Sequence, residues 1–374
     1  MRATPPSAGG LHVAGSAVVY RLYDVGYEIA LDRALDLLAS SAPERVRPVR
    51  GEAQAIQIPN PPITVILGAE RLVVGGRTRD VELSARIFDF GVVSIRVRVP
   101  TPDDLTWEAF TAFGNAIDAD GNLAALFDQH VRLLAERIGP AVERPQRAPV
   151  TEDYIVYRIT RLRGPGDARM PAAVLRDVDV VPLLLNESRP LSEDARRELL
   201  PHRFSYYADD LAILTWDNAL VVDPIEQDTD VQFILEFANA QLLELRYYDA
   251  VLDAELPAMY DRIAAARSAL RLTRRYAQIL ADLQRLVADS TELVERVENS
   301  FKVTDDVYLA RVYSAALDIF RGRTWRAGID RKLAIIRETY AMLNAESQAR
   351  RGEVLEVAIV LLIVAELVLA LVRA

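Results

Sequence analysis

The chain has 374 residues and a formal net charge of −10, from 54 Asp and Glu against 44 Lys and Arg, and it contains no cysteine. The length allows two or three structural units, the acidic balance argues against a general nucleic-acid-binding surface, and the lack of Cys excludes a disulfide framework and makes structural zinc improbable. Lys302 and Lys332 are the only lysines, a bias expected of a GC-rich bacterial genome from which no function follows.

The first elements are extended. Gly15–Val25 reads as a strand, and Glu28–Ala39 as a helix with Ile29, Leu31, Leu35 and Leu38 on one side. Strand candidates follow at Ile63–Leu67, Arg71–Val74, Arg79–Phe88 and Val92–Val99, separated by Gly75, Gly76 and Gly91 as turn signals. The stretch Ser94–Val99 alternates apolar and charged residues, which predicts a strand with one face in water. Trp107–Ala119 and Leu123–Val142 read as helices, and Pro140, Pro145 and Pro149 mark a linker.

A second mixed segment has strands at Tyr154–Leu162, Phe204–Tyr207, Ala212–Thr215 and Ala219–Val222, with short helices near Val180–Leu185 and Ser192–Leu200. Trp216, Asp217 and Asn218 suit a hairpin turn, because Asp and Asn tolerate turn geometry. A β-rich sheet with helices on one face is the economical arrangement.

From Asp228 the pattern is helical, with N-cap candidates at Asp228, Thr229 and Asp230. One heptad seam runs from Val231 through Leu235, Leu242, Leu252 and Met259 to Ile263, broken at Asp249. A second runs from Leu272 through Ile279 and Leu283 to Val297, broken at Ser290. Such seams predict long helices packed side by side, with a kink or new start at Pro257. Val307–Phe320 is a third helix, and a fourth begins near Thr324 with Trp325, Ile329, Leu333, Ile336, Tyr340 and Leu343 on one face.

That fourth helix leads into Val354–Val372, nineteen residues whose only polar side chains are Glu356 and Glu366. At helical rise this run is about 28 Å long, near the thickness of a bilayer core. Arg350 and Arg351 precede it at headgroup level. It reads as a membrane anchor carried by Val354, Leu355, Ile359, Leu361, Leu362, Ile363, Leu367, Leu369 and Val372; the alternative is a helix buried in a bundle or oligomer core. The N-terminal residues have no signal-peptide core, so a tail-anchored protein is expected, with its body in the cytoplasm.

Chemical motifs are sparse. His12, His130 and His202 lack metal-ligand spacing, no glycine-rich phosphate loop or nucleophile elbow occurs, and no catalytic residue, metal or cofactor is assigned. Two features stand out. Gln241, Glu244, Arg246, Tyr248 and Asp249 form a polar-aromatic patch on a helix, either a register-fixing or partner contact or the product of a local rotation that turns Tyr248 inward. Glu356 and Glu366 are candidate intramembrane contacts, because a carboxylate in hydrocarbon needs a partner; the alternative places Glu366 near the far interface.

The C-terminal third resembles the required-for-meiotic-nuclear-division (Rmd/Sif) family. The residues that carry this are Phe237-Ala238-Asn239-Ala240-Gln241, the stretch from Asp305 to Tyr313, and Leu355-Glu356 followed by an apolar run to Ala365-Glu366. Val303-Thr304-Asp305 lacks the proline of the family segment, and Tyr308 is all that remains of its aromatic cluster. Tyr23-Asp24-Val25 and Phe88–Val93 extend the resemblance into the N-terminal half. The resemblance implies a tethering or assembly factor, as for a mitochondrial inner-membrane member associated with translation, and brings no catalytic residues.

The expected fold is therefore α+β. An N-terminal α/β domain (residues 1–145) and a second β-containing segment (146–226) form a head of antiparallel-rich sheet and helices. A long coiled-coil-like helical stalk (227–350) ends in one transmembrane helix (351–374). The expected function is membrane-anchored, non-enzymatic tethering or assembly, with the lipid bilayer and either a protein partner or a second copy as contacts. A subunit of a membrane enzyme or transporter complex, and a hydrolase with a site in the head, are the alternatives.

Overall fold

The computed structural model describes residues 10–41, 44–45, 56–74, 76–102, 104–187, 189–225, 229–267, 272–299, 302–303 and 307–373. In chain order these form β1 (His12–Asp24), β2 (Gly26–Ile29), α1 (Leu31–Leu37), β3 (Glu44–Arg45), β4 (Ile56–Gln57), β5 (Ile63–Val74), β6 (Arg77–Ile87) and β7 (Val92–Pro100). Next come β8 (Leu105–Thr106), α2 (Trp107–Asp118), α3 (Asn122–Ile138), β9 (Val142–Pro145), β10 (Thr151–Arg163), α4 (Val181–Leu184) and α5 (Glu193–Leu199). The remainder is β11 (Arg203–Phe204), β12 (Leu211–Leu214), β13 (Asn218–Val222), α6 (Asp230–Arg267), α7 (Leu272–Asn299), β14 (Lys302–Val303), α8 (Val307–Ile319) and α9 (Gly322–Arg373). The chain is thus mixed α/β, with a large sheet in its N-terminal region and a helical C-terminal region.

Two compact units are present: Met1–Tyr247 with Arg296–Arg323, and Tyr248–Glu295 with Thr324–Ala374. The first is built on a sheet ordered β11-β12-β13-β10-β1-β7-β6-β5-β3, with β8 also on β1. Its pairings are antiparallel except β10 on β13. The turn at Trp216–Asn218 closes the β12–β13 hairpin as its chemistry predicts, with Thr215 N–H donating to the Asn218 carbonyl at 2.9 Å. Gly91 turns β6 into β7 at φ 93°, and a Cβ there would lie 1.8 Å from the Gly26 carbonyl oxygen, so only glycine fits.

The two faces of this sheet differ in chemistry. Cross-strand partners share a face. Val19 therefore groups with Val97, Leu83 and Ile155, and these pack with Phe110 and Phe113 of α2 and Leu126, Phe127 and Leu134 of α3 in one apolar core. On the opposite face Tyr20 groups with Arg96, Ser84 and Tyr154, and Ser94 with Arg86. That face is covered by α6. Ser94 and Arg96 are 0% and 7% exposed, so β7 is buried on both sides, where its alternation predicted one face in water. The alternation marks two different covers. Helices accordingly lie on both sheet faces, not one.

The expected linker is also structured: Pro145 ends β9, which pairs with β2, and Gln146 N–H donates to the Val25 carbonyl. Residues 231–244 of α6 are buried throughout, so this part is a central helix whose seam is one stripe of an enclosed surface. The helix continues through Pro257 as a single 38-residue element, with neither restart nor break. Asp228 lies outside the described residues.

In the second unit, Leu252, Met259 and Ile263 of α6, Ile279 and Leu283 of α7, and Ile329, Leu333, Ile336 and Leu343 of α9 are buried. Ser290, the exception in the second seam, is fully buried too; the Leu272 and Val297 side chains lie outside those described. The helix α9 is continuous over 52 residues and passes Gly352 without interruption. The expected transmembrane ending is not found: among the described residues no helix is long and apolar enough to cross a membrane. Val354, Leu355, Leu367, Leu369 and Val372 of that expected anchor have side chains outside the described set.

Candidate functional site

The face of the sheet under α6 carries an enclosed ionic layer. Arg86 of β6 and Arg158 of β10, separated by β7 and β1, are 1% and 0% exposed. Arg86 Nη1 pairs with Glu236 of α6, its Nε donates to Thr64 Oγ1 at 3.3 Å, and its guanidinium lies 4.9 Å from the Phe233 ring centre. Arg158 donates to the Ile225 carbonyl. Gln232 Nε2 donates to Tyr20 Oη at 2.6 Å, and Arg246 pairs with Glu152. Burial raises the Glu152 carboxyl above its usual range, against the opposing pull of Arg246. Tyr154 is raised well above an ordinary phenol because it is fully buried; its hydroxyl donates to the Asn218 carbonyl at 2.8 Å. This layer holds α6 in place chemically, since a buried charge demands its counter-charge.

At the end of β1, on the opposite face of the sheet under α3, lies a cleft of about 380 Å³. It forms where β1 runs out beside α3 and the 142–147 segment. Val25, Val131, Ala135, Val142 and Pro145 supply its apolar wall. Tyr23, Arg132, Gln146 and Arg147 supply its polar groups. The Asp128 carboxylate accepts from Tyr23 Oη at 3.1 Å and from Arg147 Nη2 at 3.0 Å, while Arg132 Nε donates to the Asp128 carbonyl at 3.0 Å.

Behind the cleft Gln146 links two titratable groups. Its Nε2 donates to both oxygens of Asp24, at 3.3 and 3.0 Å, and its Oε1 accepts from Tyr247 Oη at 2.8 Å. Asp24 also accepts from Gly26 N–H at 3.1 Å. Burial pushes the Asp24 carboxyl up to about 6, only partly opposed by the Gln146 and Gly26 donors. Burial likewise raises the phenols of Tyr23 and Tyr247, each with help from a nearby carboxylate. Perturbed groups beside a concave apolar wall mark a candidate ligand site. Among the described residues there is no cluster of side chains suited to a metal ion.

The residues singled out from sequence sit elsewhere. Gln241 Oε1 accepts from Tyr313 Oη at 2.6 Å, Glu244 and Tyr248 are buried, and Arg246 belongs to the ionic layer. Asp249 is held by Lys332, whose Nζ lies 2.7 Å from it and 2.6 Å from Asp253. Burial disfavours the Lys332 charge, but the hydrogen bonds it donates to the two carboxylates, with their negative charge, outweigh this and raise its pKa. Glu356 and Glu366 are exposed, as are Ile359, Leu361, Leu362 and Ile363. The Asp24–Gln146–Tyr247 chain was not visible in the sequence, because its members are 122 and 101 residues apart. The one local signal is Asp24 closing an apolar strand immediately before Val25-Gly26.

A largely antiparallel sheet, ten-stranded among the described residues, with helices on both faces and a cleft at one end places the chain in the mixed α/β class. Residues 14–229, more than half of the chain, match the family described as "Uncharacterized protein MJ0711, N-terminal domain", and the chain belongs to that family. It is 29% identical over 191 residues to Uncharacterized protein MJ0711 of the archaeon Methanocaldococcus jannaschii, a match covering 51% of this chain and 58% of the relative. The chain thus spans less than two thirds of that relative's length. No solved structure matches. These findings overturn the resemblance to the Rmd/Sif family, to which nothing points. Its main motif, Phe237–Gln241, is a turn of enclosed helix, and short apolar-polar strings of that kind recur wherever a helix is buried on all sides.

Proposed function

We propose that the protein is a membrane-associated tethering or assembly protein rather than an enzyme, held at lipid by the far end of α9. The observation that supports this is the exposure of Val357, Ile359, Val360, Leu361, Leu362, Ile363, Val364 and Val368, each at 50–68%. Burying one such side chain stabilises by about 1.5–3 kcal/mol, so a run of eight needs a cover. A contiguous apolar patch of this kind marks an interaction site. The side chains described from Glu356 to Glu366 cover about 16 Å of helix, enough to enter one leaflet; the whole apolar sequence run reaches about 28 Å. Lipid is the cover that matches a helix apolar on every side, and Glu366 then requires a polar neighbour within it.

The same exposure supports a second reading, in which another copy of α9 covers the run. Flotation of the purified full chain with neutral phosphatidylcholine vesicles separates the two. The expected result is co-flotation that survives high salt and is lost in the Leu361→Glu/Leu362→Glu variant. Protein that stays at the bottom of the gradient and sediments as a dimer would replace lipid with a second copy.

A further inference from the structure

We infer that the cleft beside Gln146 binds a small amphiphilic anion, a single carboxylate or phosphate on a short hydrocarbon body. The volume, about 380 Å³, falls within the range of small-molecule sites. Its wall of Val25, Val131, Ala135 and Val142 offers nothing to a fully polar solute and suits an alkyl or aryl group. Two guanidiniums stand at its polar side, Arg132 and Arg147, against one carboxylate, Asp128. That carboxylate already accepts from both Arg147 and Tyr23, and Arg132 uses only Nε on the Asp128 carbonyl. Guanidinium donors are therefore available for an anionic head, in a geometry that suits carboxylate or phosphate oxygens. Gln146 cannot serve the ligand freely, since its amide is committed to Asp24 and Tyr247.

Such an anion occurs both as a free metabolite and as the head and proximal chain of a lipid. Calorimetric titration of the full chain with octanoate and octyl phosphate tests the shared chemistry, with octanol and inorganic phosphate as controls. The expected result is saturable binding of at least one amphiphile at about 1 mM or tighter, with both controls weaker by about tenfold or more. Arg132→Gln/Arg147→Gln should weaken binding by about tenfold, because both arginines are exposed and their loss leaves the fold intact. Ala135→Trp, which fills the cleft from the α3 side, should abolish it.

The apolar end of α9 remains intact in both variants, so an amphiphile adsorbed there would bind all three proteins equally. That equality, or no heat from either amphiphile, would overturn the inference whatever vesicle flotation shows. Displacement of bound octyl phosphate by phosphatidate vesicles would assign the site to a lipid headgroup, and failure to displace it to a free anion.

Discussion

Asp24 is a carboxyl enclosed at the end of β1, where water cannot solvate its charge, and its pKa is pushed up to about 6. An unfolded Asp titrates near 3.9. Between these values folded Asp24 binds more proton than unfolded Asp24, so its contribution to stability is most favourable below about pH 4 and falls as pH rises to about 6. Above that the ionised group costs on the order of 2–3 kcal/mol. Asp24→Asn keeps an acceptor for Gly26 N–H but loses one acceptor for Gln146. The expected outcome is a variant about 1–2 kcal/mol more stable than the parent at pH 8, with the advantage gone at pH 4. Urea unfolding of both proteins at the two pH values measures this, and an equal difference at both would remove Asp24 as the source.

At the scale of elements, α6 decides the architecture. Its first half is enclosed by the sheet, with Phe237 packed against Phe88 and Phe90 at 5.4 and 5.7 Å between ring centres, and Tyr313 of α8 bonded to its Gln241. An ordinary amphipathic helix would meet the sheet with aliphatic side chains; this one brings Gln232 and Glu236. The pair of Glu236 with Arg86 is conditional: each group is tolerated only because the other is present. Glu236→Leu should therefore destabilise by about 3–5 kcal/mol, whereas Arg86→Met combined with Glu236→Leu should recover most of the loss. A double-mutant cycle in urea reads the coupling. Additive losses would show that the pair contributes through packing alone.

For the whole molecule, the proposed function puts stability and interaction at different ends of α9. Among the described residues its buried positions end at Leu343, and the side chains from Glu356 to Glu366 are exposed. Removing residues 353–374 should leave the thermal midpoint within about 2 °C of the parent, since the removed side chains contribute no described burial. The same deletion should abolish vesicle flotation. A large drop in the midpoint would place the segment in a packed interface. In the second unit, by contrast, Lys332 between Asp249 and Asp253 and Arg337 on Thr291 tie α9 to both α6 and α7. The break in the first seam at Asp249 is thus matched by a lysine from another helix.

Periodicity made the elements legible. Short apolar, β-branched runs located β1, β6, β10 and β13, alternation marked β7, and the Asp-Asn turn placed the β12–β13 hairpin, because side-chain pattern and a turn's backbone demands are local properties. The apolar run near the end of α9 was legible for the same reason, as hydrophobicity needs no partner to be read. What covers each face was not legible. Arg96 in an alternating strand looks the same whether its side of the sheet meets water or a helix bearing glutamates. The cover comes from α6, more than a hundred residues later in the chain. The cleft and the Asp24–Gln146–Tyr247 chain were hidden likewise, since the first exists only where β1, α3 and the 142–147 segment converge and the second only where that segment meets β1 and α6. Local sequence determined which residues form strands and helices; tertiary packing alone decided which charges are buried and where a ligand could enter, because burial and proximity are set by distant segments.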